Sequence, residues 1–194
     1  MGFLVPRRVG LLGGSFNPAH GGHLHISREA LKRLKLDQIW WLVSPHNPLK
    51  PVQDMAPVVE RMAEARKQAR DPRIKVLGLE TRLGTRYTID TIGALRRLFP
   101  RTRFVWLMGA DNLGQIRRWR GWPRIFRSVP VAVLDRPTYS SRALNELPAQ
   151  VFRRGRVGPA VARWLADRAP PAWTFLPIRR DPRSATALRV QPKP

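Results

Sequence analysis

Two histidines, His20 and His23, stand three residues apart behind a paired glycine in the segment Gly10-Leu-Leu-Gly-Gly-Ser-Phe-Asn-Pro-Ala-His-Gly-Gly-His23. Gly13 and Gly14 carry no Cβ, so the backbone there can approach a phosphate closely. Amides in a loop that opens a helix point toward such an anion. An imidazole donates a hydrogen bond to a phosphoryl oxygen and adds charge when protonated. If the helix begins near residue 20, the two rings share a face. Taken singly, the glycine pair also reads as an ordinary turn, and the His-x-x-His pair as a solvated helix start. A metal site fits poorly, because the chain has no cysteine and only two further histidines, His25 and His46. The segment is not a Walker loop, since no Gly-Lys-Ser/Thr follows, and it lacks the Gly-x-Gly-x-x-Gly dinucleotide fingerprint.

Five further places collect chemistry. Lys50 ends the stiff, proline-bearing loop Ser44-Pro-His-Asn-Pro-Leu-Lys50, where an ammonium can reach a phosphate. Arg86-Tyr-Thr-Ile-Asp-Thr91 opens a helix with Thr88 as its expected N-cap, and the amides of that turn can hold a carboxylate. Met108-Gly-Ala-Asp-Asn112 places Asp111 at a strand end, where it can accept two hydrogen bonds from a sugar. Asp135-Arg136-Pro137 offers Arg136 for a bidentate grip on phosphate. Ser184-Ala-Thr-Ala-Leu-Arg189 can turn two hydroxyls, its amides and a guanidinium toward a polyphosphate. Each also has a structural explanation: an exposed lysine or arginine, a helix cap, a capped terminal turn.

The elements that must position these residues alternate. Apolar runs predict strands at 8–12, 38–43, 74–77, 104–108, 131–134 and 174–177. Amphipathic spacing predicts helices at 23–36, 56–70, 88–98, 122–128 and 159–168, with a short turn near 185–189. This β-α order implies an α/β, Rossmann-like, doubly wound and mainly parallel sheet, with binding loops at the carboxyl ends of the strands. The 194 residues suit a single domain spanning 1–194, with the proline-containing tail 190–194 expected to fray. The Arg- and Pro-rich stretch 140–171 is the least legible part.

Composition sets the outer bounds. Hydrophobic content is 43%, ordinary for a globular protein. No apolar stretch reaches membrane-spanning length and no signal-peptide core is visible, which predicts a soluble, cytoplasmic protein with no membrane partner. The net charge of +23 is spread over the whole chain with no nucleic-acid-binding motif. It reads as a solvated surface that attracts polyanions such as ATP, with weak non-specific nucleic-acid adhesion as a side effect.

The string Gly14-Ser-Phe-Asn-Pro-Ala-His20-Gly-Gly-His23 resembles the Gly-x-Phe-x-Pro-x-His-x-Gly-His signature of the nucleotidylyltransferase superfamily. Ser184-Ala-Thr-Ala-Leu-Arg189 resembles its second signature, Ser-x-Thr-x-x-Arg. The double glycine, Tyr87-Thr-Ile-Asp-Thr91, Gly109-Ala-Asp111 and Trp119 are similar to the nicotinate-mononucleotide adenylyltransferases in particular. Many of those carry Asp where this chain has Asn17, and Asn keeps the size and a hydrogen-bonding oxygen.

The resemblance implies adenylyl transfer from ATP to nicotinic acid mononucleotide, giving deamido-NAD and pyrophosphate, in NAD biosynthesis. It implies ATP binding by Gly13, Gly14, Ser15, Phe16, His20, His23, Ser184, Thr186 and Arg189, with His20, His23 and Arg189 catalytic. It implies mononucleotide binding by Asn17, Lys50, Thr88, Ile89, Asp111, Trp119, Arg120 and Arg136. Thr88 and the Ile89 amide would meet the nicotinate carboxylate, and Trp119 would stack on the pyridine ring with the Arg120 amide nearby. No nucleophile with an activating base is visible, so the mononucleotide phosphate is expected to attack the α-phosphorus directly. Mg²⁺ is expected to arrive with ATP, with no protein metal cage. The alternatives are another acceptor on the same fold (nicotinamide mononucleotide, pantetheine phosphate, a flavin or glycerol phosphate) and a basic nucleic-acid-binding protein.

Overall fold

In the strand Arg8–Gly14 (β1), alternate side chains leave the sheet on opposite faces, and both faces are buried. Val9 and Leu11 pack in one apolar cluster, while Leu12 packs in a second. The same division holds along Gln38–Val43 (β2): Trp40 and Leu42 face one side, Ile39, Trp41 and Val43 the other. Strands buried on both faces are those of a helix-covered parallel sheet. The computed structural model describes residues 8–45, 55–135 and 144–178.

The remaining strands are Ile74–Leu77 (β3), Arg103–Gly109 (β4), Val131–Leu134 (β5), Arg156–Val157 (β6) and Trp173–Leu176 (β7). They form one seven-stranded sheet in the order β3-β2-β1-β4-β5-β7-β6, and every pairing is parallel. One face is covered by Gly21–Arg33 (α1), Val58–Gln68 (α2) and a 3₁₀ helix at Pro159–Asp167. Thr88–Leu98 (α4), Ala110–Gln115 (α5) and Trp122–Ser128 (α6) cover the other, and Leu79–Leu83 (α3) and Leu147–Val151 (α7) complete the α-helices of the described residues. The chain runs outward from β1 to β3, then crosses back to lay β4 on the other side of β1. The strand order therefore switches between β1 and β4, and a doubly wound sheet opens its binding crevice beyond the carboxyl ends at such a point.

Several sequence expectations are corrected. β1 continues through Gly13 and Gly14, because its parallel register with β2 persists to Gly14 opposite Val43. The glycine pair therefore ends a strand and is not loop. The segment 159–168 is helical but 3₁₀, a distinction that the apolar spacing does not carry, since an i, i+3 repeat serves both helices. α3, α5 and α7 were not expected: five or six residues are too few to show a period. β6, two residues long, was missed for the same reason. The expected turn near 185–189 and the tail 190–194 lie outside the described residues.

Candidate active site at the β1–β4 crevice

The two histidines start α1 by capping it. His20 is the N-cap, in extended conformation, and its Nδ1 accepts the Gly22 N–H at 3.1 Å. His23, three residues on, accepts the His20 N–H at its own Nδ1 at 3.2 Å. This is a capping box in which imidazoles replace the usual Ser/Thr and Glu/Gln. It fixes the tautomer, because an Nδ1 that accepts a backbone N–H carries a lone pair and leaves the proton on Nε2. The rings lie 4.0 Å apart between centroids, and His20 is only 3% exposed. The backbone thus holds the two imidazoles as a preset pair, each with its N–H on Nε2. The reciprocal cap escaped the sequence reading, although the His-x-x-His spacing is that of a capping box.

Beneath the histidines lies an aromatic floor. Phe16 adopts a left-handed backbone, φ 47°, and its ring is buried against His23 at 4.7 Å and stacked on Trp41 at 5.1 Å. Trp41 Nε1 donates to Ser27 Oγ, which donates in turn to the His23 carbonyl, both at 2.8 Å. Phe16 therefore supports His23 from below, and any part it has in binding ATP falls to its backbone. Gly13 also departs from expectation. A Cβ there would stand 2.5 Å from the Trp106 ring of β4, so packing across the switch point requires this glycine. At Gly14 a Cβ would meet only the Phe16 ring at 3.5 Å, an ordinary contact. Ser15 and Asn17 are half-buried in the loop between β1 and α1.

Sequence reasoning did not find Arg61 or Glu80. Arg61, in the first half of α2, is 3% exposed and spends its guanidinium on backbone carbonyls. Nε donates to Ala56, Nη1 to Ser15 and Ser44, and Nη2 to Pro45. Burial lowers its pKa from the usual value. Ser44 Oγ donates to Glu80 Oε2 at 2.7 Å. Burial pushes the Glu80 carboxyl above its usual value, and the Ser44 bond offsets this only in part. The segments after β1, β2 and β3 are thereby tied to one another. An isolated arginine and glutamate in a chain with 36 Lys and Arg residues carry no pattern that marks them.

On the β4 side, α4 begins where expected, but its N-cap differs. Tyr87 is its N-cap, so Thr88 is the first helical residue and caps nothing. Thr91 Oγ1 bonds instead to the Tyr87 carbonyl and the Thr85 hydroxyl. The Asp90 and Thr91 amides donate to the Tyr87 carbonyl, and no side chain caps the first turn that holds the Thr88 and Ile89 amides. The Arg120 guanidinium lies over the Tyr87 ring at 4.7 Å, within cation–π range. Trp119 closes a 3₁₀ turn, Ile116–Arg118, and meets Trp106 edge-on with centroids 6.2 Å apart. Gly121 follows with φ 63°, a left-handed turn that starts α6 beside Ile89. Asp111 sits in the first turn of α5, whose N-cap is Gly109. Thr88, Ile89, Asp111, Trp119 and Arg120 thus all belong to elements that cover the β4 side of the crevice.

Comparison with known proteins agrees with this geometry. Residues 11–190 match the family model described as cytidylyltransferase-like. A probable nicotinate-nucleotide adenylyltransferase of Methylorubrum extorquens (strain PA1) is 54% identical over 184 residues, covering 95% of this chain and all of that one. One from Bradyrhizobium sp. (strain ORS 278) is 56% identical over 182 residues, 94% of this chain and 95% of its own. The chain belongs to the cytidylyltransferase-like family, among its nicotinate-nucleotide adenylyltransferases. The fold also matches a Plasmodium falciparum nicotinic acid mononucleotide adenylyltransferase complexed with NaAD, with a TM-score of 0.70, 14% identity, and coverage of 94% of this chain and 82% of that one.

In this nucleotidylyltransferase the two sides of the strand-order switch, its walls, are built differently. The β1 wall carries the imidazole pair at the N-terminus of α1. The β4 wall carries the uncapped first turn of α4, Asp111 and Trp119. Lys50, Arg136, Ser184, Thr186 and Arg189 lie outside the described residues. Among the described residues no group of three His, Cys, Asp or Glu gathers so as to hold a metal ion, and no helix is long and apolar enough to cross a membrane.

Proposed function

We infer that this chain transfers an adenylyl group from ATP to nicotinic acid mononucleotide, releasing pyrophosphate and forming deamido-NAD, a step of NAD biosynthesis. The observation that carries the reading is the capped imidazole pair that follows β1 at the strand-order switch, in a chain about as long as its adenylyltransferase relatives and more than half identical to them. A phosphate oxygen of the mononucleotide attacks the α-phosphorus of ATP, and the bond from that phosphorus to the bridging oxygen of pyrophosphate breaks. No proton need move for this exchange to balance. The protein's part is placement and charge stabilisation.

His20 and His23 donate from Nε2 to the ATP phosphates, where charge builds at the α-phosphorus. The end of β1 at Gly13 and Gly14, with the following Ser15 and Phe16, lines that approach with backbone. Ser184, Thr186 and Arg189 hold the β- and γ-phosphates, and Arg189 neutralises the leaving pyrophosphate. Lys50 and Arg136 take the mononucleotide phosphate, Asn17 stands beside them, and Asp111 accepts from ribose hydroxyls. The open first turn of α4, at Thr88 and Ile89, receives the ring carboxylate. Trp119 stacks on the pyridine ring, and Arg120 offers its amide beside it. Mg²⁺ would come with ATP, which suits described residues that gather no group of carboxylates able to hold a metal. ATP and the mononucleotide are cytoplasmic metabolites, and we place the protein there.

The test is pyrophosphate release from ATP and Mg²⁺ with nicotinate and nicotinamide mononucleotides, pantetheine phosphate and riboflavin phosphate in parallel. Nicotinate mononucleotide should give the highest kcat/KM. A preference for the amide or for a non-pyridine acceptor refutes the assignment.

A further inference from the structure

Arg61 stands on α2, apart from the helices that carry the candidate site residues, yet its bonds reach the loop before α1. Its donors reach the Ser15 carbonyl in the β1–α1 loop, the Ser44 and Pro45 carbonyls after β2, and the Ala56 carbonyl at the entry to α2. Its partners are all main-chain oxygens, and among the described residues no carboxylate pairs with it. A buried arginine without a counter-ion is costly and persists where its donors satisfy groups that nothing else can reach. Two of its targets flank a third link between the same segments, the Ser44 N–H donating to the Gly14 carbonyl at 3.0 Å. Ser15 lies directly before Phe16, whose ring supports His23. The chain of contacts therefore runs from Arg61 through Ser15 and Phe16 to the imidazole pair.

We propose that Arg61 is a positioning residue for adenylyl transfer, bolting the signature loop to the segment after β2 and so fixing the height of His20 and His23 over the crevice. This rests on the adenylyl-transfer reading of the site. The planar fork of a guanidinium serves four carbonyls in different directions, which a single ammonium does not reproduce. Arg61→Lys keeps the charge and most of the volume while losing that geometry. A displacement of the order of 1 Å at a reacting group is worth about 100-fold in rate.

Two measurements on Arg61→Lys test the proposal. In steady-state kinetics with ATP and nicotinate mononucleotide, kcat should fall by about 10- to 100-fold while both KM values change little. Wild-type kcat overturns the positioning role, and so does a loss confined to KM. Hydrogen exchange by mass spectrometry, which needs no substrate, should show faster exchange in residues 13–23 and 42–45 with β4 and β5 unchanged. Unchanged exchange in those segments overturns the proposal even if the wild-type chain proves inactive, whereas inactivity alone overturns only the reaction assigned to the site. If Arg61→Lys does not fold, Arg61→Ala is assayed with millimolar guanidinium. Saturable recovery of kcat supports the role, and no recovery in a folded variant refutes it.

Discussion

At the scale of single residues, the proposed reaction gives the His20 ring two duties on two nitrogens, and a substitution can separate them. Nδ1 caps α1 through the Gly22 N–H, and the proposal assigns Nε2 to the phosphates. Asn at an N-cap supplies an accepting oxygen as well as any residue does. His20→Asn should therefore keep helix content and melting temperature close to wild type while lowering kcat by about 100-fold or more, the usual loss when a transition-state donor is removed. Circular dichroism and a turnover assay check this, and near-normal turnover would remove His20 from the chemistry. Gly13 answers to packing as well. Gly13→Ala drives a methyl into the Trp106 ring, a clash of a kind that destabilises by about 1–3 kcal/mol. Pairing it with Trp106→Phe, which removes the offending atoms, should recover much of the lost melting temperature; no recovery would mean the cost lies in the strand backbone. Both cases show what a sequence does and does not disclose. The identities of His20, His23 and Gly13 were visible as a signature, but the caps and the Trp106 contact depend on which partner the fold brings near. Arg61 and Glu80 had no local sign at all, since their roles lie in bonds to carbonyls and a hydroxyl up to 46 residues away.

At the scale of elements, strands and long helices announced themselves because burial on two faces or one stripe leaves a period in the sequence. β2, β3, β5, α4 and α6 stand where their patterns predicted. The short helices α3, α5 and α7 did not, since tertiary contact decides a five-residue turn more than its own residues do. α3 is instructive, for its first turn holds the buried Glu80. A helix N-terminus favours the charged carboxylate, yet desolvation prevails and the folded-state pKa is raised. The fold therefore binds the Glu80 proton more tightly than the unfolded chain does. Stability from this group is fully present below the ordinary carboxylate value of 4.5 and is lost as pH rises through the shifted value. Glu80→Gln keeps an acceptor for Ser44 Oγ and removes the titration. It should melt a few degrees above wild type at neutral pH, with the difference shrinking toward zero below pH 4.5. A gap that stays constant across that range would show that the carboxylate charge is not what costs stability.

At the scale of the whole molecule, doubly wound architecture was legible from the regular β-α alternation, and so was the end of the sheet where binding loops gather. At the far edge β5 and β7 were expected, but β6, which pairs outside β7, was not, because it has only two residues within an Arg- and Pro-rich stretch. Charge is the other global property. A net +23 on 194 residues surrounds a crevice whose two proposed substrates are both anionic. Such a field concentrates anions and raises their rate of encounter without altering bound geometry. The Debye length shortens from about 30 Å at 0.01 M salt to about 10 Å at 0.1 M, so the long-range part of this attraction is screened within an accessible range. Raising KCl from about 0.01 to 0.3 M should therefore lower kcat/KM for ATP by about 10-fold or more while kcat itself changes little. Short duplex DNA should compete with ATP at the low end of that range and lose its effect at the high end, as purely electrostatic adhesion does. A kcat/KM that is flat in salt would mean that the surface charge plays no part in substrate capture. DNA competition that survives 0.3 M salt would mean that the basic surface carries a nucleic-acid site of its own.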